Sequence, residues 1–191
     1  MGQDGLAALF LATALGNSLI LGQGWALDRL LEPRALREAA LHGVLTALVM
    51  TLAAAGAWLL RTLLLQPFGL ELYAGFALVL LVAAATAAAA SALRRWRAGF
   101  AATNWWLIAT NAGVIGTTVQ VQQSDTGLAA SLVIGFGSGC AFTLALLLLC
   151  GLQRRLQPAQ VPAAFRGLPI ALLNTGLLAL AWSGLTGLGQ R

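Results

Sequence analysis

Apolar residues run along the chain in six long stretches that are separated by short polar segments. Each stretch holds about 20 residues, enough for an α-helix to cross about 30 Å of hydrocarbon. The pattern therefore predicts an all-α membrane protein with six transmembrane helices and few residues outside them. The expected limits are about 5–27, 39–60, 72–93, 99–119, 128–151 and 168–188.

Two of these stretches, the first and the fourth, are interrupted by polar residues and glycines. The first contains Gly16-Asn17-Ser18, and the fourth contains Asn104 and the pair Thr110-Asn111. An amide without a partner in hydrocarbon costs about 2–7 kcal/mol, so these side chains are expected to face the protein interior. We therefore expect Asn17 and Asn111 each to lie beside an irregularity that breaks its helix.

The buried polar residues of these two helices have two alternative roles. Hydrogen bonding between helices is the simpler role for Asn17, Thr110 and Asn111, because membrane helices use polar side chains to hold one another. Lining a pathway through the membrane is the alternative.

Composition supports the membrane interpretation and limits the classes of partner. Hydrophobic residues make up 59% of the chain and charged residues 9%, whereas soluble domains carry about 25% charged residues. A net charge of +5 could suit nucleic acid if the basic residues formed one exposed patch. Here they fall in the loops between apolar stretches, so a nucleic-acid partner is not expected.

The arginines predict how the chain is oriented. Two lie on one side, at Arg61 and Arg191, and the other nine lie in the first, third and fifth loops. Positively charged loops stay in the cytoplasm, so both termini should lie outside, in the periplasm if the protein resides in a bacterial inner membrane. Residues 1–191 then form a single multi-pass membrane domain whose halves, about 1–93 and 94–191, are two inverted three-helix repeats.

Small residues in two stretches predict close helix packing. Gly135, Gly137 and Gly139 fall within the fifth stretch, and an alanine-rich run occupies residues 83–92 of the third. Small side chains let a neighbouring backbone approach closely. A phosphate-binding loop is not expected at these glycines, because no strand precedes them.

The side chains that usually carry chemistry do not form a site in the sequence pattern. Cys140 and Cys150 would be about 15 Å apart along one helix and rotated by about 80°, which excludes a shared metal and a disulfide. His42 is the only histidine, and every Asp and Glu falls in a loop or at the end of a stretch. The sequence therefore predicts no catalytic residue and no metal site within this chain.

Several motifs resemble a known family of membrane proteins. They are the segments 161–172, 176–180 and 139–147, and Thr110-Asn111 with Val114-Ile115-Gly116. On these residues, and over nearly its whole length, the chain resembles the A subunit of the Rnf (Rsx) electron-transport complex and the E subunit of Na⁺-translocating NADH:quinone reductase. The resemblance implies a core component of an ion-translocating electron-transport complex that packs against other subunits, one of them homologous and inverted.

The chain departs from that family at the cofactor ligands. The resemblance implies two cysteines, one in each broken helix, that supply half the ligands of a [2Fe–2S] cluster shared with the partner. Leu27 and Ala112 occupy these positions, and neither side chain can bind iron. We therefore expect no cofactor in this chain, and we expect Leu27 and Ala112 to approach each other.

Three functions remain open from the sequence. The first is a structural or pathway-forming subunit of an electron-transport complex. The second is a standalone transporter-like membrane protein that uses the same scaffold without redox chemistry. The third is a scaffold that docks soluble partners through its arginine-rich loops.

Overall fold

The computed structural model describes residues 3–16, 36–96, 108–124, 127–156, 162 and 165–188. These residues contain helices and turns and no strand. The helices are α1 (Gln3–Leu11), α2 (Leu36–Leu60), α3 (Ala74–Trp96), α4 (Ala112–Gln123), α5 (Leu128–Leu156) and α6 (Leu168–Leu188). A π-helical turn, Ala12–Gly16, extends α1.

The lengths and compositions of these helices confirm an all-α integral membrane protein. Three helical segments of the described chain are long and apolar enough to cross a membrane: Leu36–Phe68, Ala74–Ala92 and Leu128–Leu156. Two shorter apolar segments are Gly5–Ala14 and Leu168–Gly184. Each of the helices α1 to α6 overlaps one of the six predicted stretches, and the number of helices that cross the membrane stays a prediction. The inverted relation of the two halves stays a prediction.

The second helix continues past its predicted end at Leu60. A π-helical turn, Arg61–Leu65, and a last helical turn, Gln66–Phe68, extend it. Arg61 lies within this extended helix, and its Nη1 donates a hydrogen bond to the carbonyl oxygen of Ser124 at 2.6 Å. The helix ends instead at Gly69, whose φ of 62° lies in the left-handed region that glycine adopts at no steric cost.

Among the helices that the structure describes, α2 and α5 pack most closely, and glycines of α5 make this close approach possible. A methyl group added at Gly139 would lie 2.5 Å from the Cα of Ala47, and one added at Gly135 would lie 2.7 Å from the Cβ of Ala54. The two backbones therefore touch where α5 has no side chain. The predicted packing role of Gly135 and Gly139 is confirmed, and the order of these contacts makes the two helices antiparallel.

The alanine-rich run of α3 is only partly used for packing within this chain. Ala89 and Ala90 belong to the main apolar core, which also contains residues of α2, α4, α5 and α6. Ala83, Ala84 and Ala88 are exposed. The small residues thus form two faces, one that packs inside the bundle and one on its outer surface.

Arginines gather at one end of the bundle. Arg37 lies in the first turn of α2, and Arg154 and Arg155 lie in the last turn of α5, so the antiparallel arrangement places them at the same end. Arg61 lies at the other end of α2, beside the end of α4. The separation into an arginine-rich end and an arginine-poor end is therefore a structural feature, while the side of the membrane that each end faces stays a prediction.

Candidate functional site

The fourth helix is interrupted at Thr110-Asn111. Ile108 and Ala109 are helical, Thr110 forms a turn, and Asn111 has an extended backbone with φ −71° and ψ 115°. The N–H of Asn111 donates to the carbonyl of Ile108 at 3.2 Å, and α4 begins at the next residue. The irregularity predicted beside Asn111 is confirmed.

Asn111 is fully buried and caps the start of α4. Its side-chain Oδ1 accepts a hydrogen bond from the N–H of Gly113 at 3.0 Å, and its backbone carbonyl accepts one from the N–H of Val114 at 3.0 Å. Such a cap stabilises a helix by about 1 kcal/mol relative to alanine. The side chain of Asn111 therefore stabilises the backbone on the C-terminal side of the interruption.

The amide nitrogen of Asn111 has a different environment from its oxygen. Nδ2 is buried and has no hydrogen-bond acceptor among the described residues. An amide that stays unsatisfied in a protein interior costs about 1–3 kcal/mol. The arrangement leaves this donor available to a group outside the described part of the chain.

The residues on either side of Asn111 face outward. Thr110 and Ala112 are both exposed, which corrects the expectation that Thr110 is a buried polar group. In an irregular turn, neighbouring side chains point in different directions, so only Asn111 reaches the core. Ala112 lies 12 residues before Ser124, about 18 Å along α4, which is more than half of the roughly 30 Å of hydrocarbon in a bilayer.

The two threonine hydroxyls of α4 are hydrogen-bonded within their own helix. Thr117 donates to the carbonyl of Gly113 at 2.8 Å, and Thr118 donates to that of Ile115 at 2.6 Å. Both threonines are buried. Their hydroxyls are therefore engaged without a partner helix, whereas the buried Oε1 atoms of Gln120 and Gln122, nearer the end of α4, have no hydrogen-bond partner among the described residues.

The first helix is irregular immediately before Asn17. The π-helical turn Ala12–Gly16 contains the buried Thr13, whose hydroxyl contacts the carbonyls of Leu9 at 2.9 Å and Phe10 at 3.0 Å. This wide turn packs against Gly137 of α5. Asn17 and Leu27 lie outside the described residues, so their expected positions and the approach of Leu27 to Ala112 stay predictions.

The described residues hold no group of three or more His, Cys, Asp and Glu side chains that could bind a metal ion. Cys150 is buried in the core, Cys140 is half-buried on the outer side of α5, and neither takes part in a disulfide. His42 is buried on α2. At the fourth-helix position where the family resemblance implies a thiolate, Ala112 presents only a methyl group.

The structural roles of two residues were not predicted from the sequence. Arg61 ties the end of α2 to the residue that ends α4, and the signal was its isolation as a lone arginine between two apolar stretches. Trp182 lies in the main core although tryptophan is common at membrane interfaces. Nothing in the local sequence indicates that it turns inward.

The sequence of this chain is similar to a protein-family model and to several named proteins. A family model described as "Rnf-Nqr subunit, membrane protein" matches residues 30–189. A protein from Aromatoleum aromaticum, named as the A subunit of an ion-translocating oxidoreductase complex, is 39% identical over 186 residues, covering 95% of this chain and 96% of the relative. Proteins of the same name from Cereibacter sphaeroides and Syntrophotalea carbinolica are each 35% identical, covering 94% and 96% of this chain and 95% and 97% of the relatives.

Proposed function

We propose, from the premise that the chain belongs to the Rnf-Nqr family of membrane proteins, that it is a core subunit of an Rnf-like ion-translocating electron-transport complex. The observation that carries the proposal is similarity over nearly the full length of relatives whose names give them as the A subunit of an ion-translocating oxidoreductase complex. The all-helical apolar architecture is consistent with this assignment.

Within that complex, the proposed role is structural or pathway-forming. A [2Fe–2S] cluster requires four ligands, which are normally cysteine thiolates. Leu27 and Ala112 stand where the family resemblance implies cysteines, and neither offers a donor atom. The residues present do not fit the cluster, so we assign this chain no cofactor and no electron-transfer step through one.

The open side of the interrupted helix is the proposed contact with a homologous inverted subunit. Thr110 and Ala112 are exposed on either side of the buried Asn111, about 18 Å from the end of α4. Irregular backbone at this depth is tolerated only when protein or a water-filled cavity covers it. A second membrane subunit would supply that cover.

The proposed location is the bacterial inner membrane, with both termini outside the cytoplasm. The grouping of Arg37, Arg154 and Arg155 at one end of the bundle supports this orientation, because cationic loops are retained in the cytoplasm.

Affinity purification through this chain from its own membrane tests the proposal. A homologous membrane protein together with flavin or iron–sulfur subunits should co-purify in constant ratio, because the chain is proposed to be a subunit of the same complex. Recovery of the chain alone after mild solubilisation, with none of these partners, would contradict the proposal and support a standalone transporter-like protein.

A further inference from the structure

A long apolar groove runs along the outer surface between α2 and α5. Its volume is about 690 Å³. The walls include Val44, Leu48 and Leu52 of α2 and Phe136, Cys140 and Leu147 of α5. The groove lies apart from the interruption in the fourth helix, whose residues do not line it.

The close contact between the two helices creates the groove. A methyl group added at Gly43 would lie 2.7 Å from Cγ2 of Thr143, and Gly139 touches Ala47 in the same way. Small residues along the line of contact bring the backbones together, and large residues on either side rise above it. The result is a groove whose floor is formed by small residues and whose walls are mainly apolar side chains.

The walls of the groove present no unsatisfied hydroxyl. Thr51 donates to the carbonyl of Ala47 at 2.8 Å, and Thr143 donates to the carbonyl of Gly139 at 2.8 Å. Because these hydroxyls already donate within their own helices, a molecule in the groove does not need to offer them a hydrogen-bond acceptor. The groove therefore suits a hydrocarbon chain rather than a polar ligand.

The length of the groove matches one acyl chain. Gly43 lies opposite Thr143 and Ala47 lies opposite Gly139, so Leu147 stands level with position 39 of α2. From that level to Leu52 is 13 residues, which corresponds to about 20 Å along the helix. One leaflet of a bilayer is about 15 Å of hydrocarbon, so the groove can hold a single extended acyl chain and leave its head at the arginine-rich end.

Two arginines extend the walls of the groove at that end. Arg37 precedes Val44 by seven residues and Arg154 follows Leu147 by seven, and this spacing keeps each pair within about 20° on its helix. Both arginines are exposed, and within the part of the chain that the structure describes neither guanidinium is engaged by a carboxylate. Glu38 and Arg155 are each rotated by about 100° from these positions.

We propose that the α2–α5 groove binds an anionic phospholipid, with one acyl chain along the groove and the phosphate head between Arg37 and Arg154. Basic residues at the end of a crevice between membrane helices recognise anionic lipid heads, and guanidinium groups pair well with phosphate oxygens. This assignment is independent of the proposed function in electron transport.

The test measures lipid binding to the full chain, purified with the subunits that accompany it, by native mass spectrometry. Phosphatidylglycerol and phosphatidylcholine with identical acyl chains are added in separate titrations. Phosphatidylglycerol should be retained preferentially. The double variant Arg37→Gln with Arg154→Gln should weaken its retention by about fivefold for each arginine removed, whereas Arg155→Gln should leave it unchanged.

A second pair of variants tests the acyl-chain part. Cys140→Phe places a large side chain in the groove and should reduce retention of phosphatidylglycerol, while Leu148→Phe on the same helix lies outside the groove lining and should not. Inorganic phosphate added alone should fail to displace the lipid, because it lacks the chain.

Three results would overturn the proposal. The first is an equal loss in the Arg155→Gln and Arg37→Gln/Arg154→Gln proteins, which would indicate a general charge effect. The second is displacement of the lipid by inorganic phosphate at moderate concentration. The third is a cross-link from Cys140 to a neighbouring protein in the native membrane, which would show that a protein helix covers the groove.

Discussion

Asn111 shows how one side chain stabilises an interruption within a membrane helix. Its oxygen caps α4, and its nitrogen lies buried with no acceptor among the described residues. The flanking Thr110 and Ala112 are exposed. A single residue thus stabilises the interruption on the inner side, and the side chains that flank it are exposed on the outer side.

The consequence for stability can be separated from the loss of side-chain volume. Asn111→Ala should lower the free energy of unfolding by about 1–2 kcal/mol, because it removes the cap on the N–H of Gly113. Asn111→Ser keeps a capping oxygen and should recover part of that loss. Thermal unfolding in detergent, followed for both variants, checks the prediction. Equal destabilisation by Ala and Ser would show that the cap contributes nothing.

The sequence could predict the interruption but not the direction of each side chain within it. Asparagine in an apolar stretch indicates a buried amide, and Asn111 is buried. Thr110 carries the same signal and is exposed. Helical periodicity assigns faces only where the backbone is regular, so no pattern could assign Thr110 and Asn111 to opposite sides.

At the scale of elements, the contact between α2 and α5 organises the bundle. The glycines of α5 predicted close packing, but the sequence could not identify α2 as the neighbour, since every helix of the chain offers small residues. The extension of α2 to Phe68 was also missed. The extension contains Arg61, whose hydrogen bond to Ser124 joins residues far apart in the chain and could not be predicted from a local pattern.

A pair of glycine substitutions on α5 measures the value of this contact. Gly139→Ala should destabilise the protein by about 1–3 kcal/mol, because the new methyl would lie 2.5 Å from the Cα of Ala47. Gly151→Ala is the matched control, since nothing lies within 4 Å of that position, and it should be neutral or slightly stabilising. The midpoints of thermal unfolding in detergent, measured for both variants, test this prediction. Similar midpoints for the two variants would contradict the packing argument.

At the scale of the whole molecule, charge separates the two ends of the bundle. Arg37, Arg154 and Arg155 lie at one end, and Arg61 at the other is bonded to the end of α4. The apolar stretches and this arginine pattern could be predicted from the sequence. Bilayer thickness determines how long an apolar stretch must be, and the retention of positive charge in the cytoplasm determines which loops carry arginine. The inverted relation of the two halves is a tertiary property that residue patterns alone do not fix.

The orientation has a direct test. A reporter that is active only outside the cytoplasm should be active when it is fused after Arg191, and a fusion within the segment 157–160 should be inactive, because the arginine-rich end is retained inside. The opposite pair of activities would reverse the orientation of the chain.

The central claim is that a homologous membrane protein covers the open side of the interrupted fourth helix. A photoreactive amino acid at position 112 tests this claim most directly in native membranes. The control has the same group at position 144, which lines the α2–α5 groove. We expect irradiation at position 112 to join the chain to a homologous membrane protein, and irradiation at position 144 to give lipid adducts. Adducts with lipid alone at position 112 would contradict the account, because this surface would then face the bilayer.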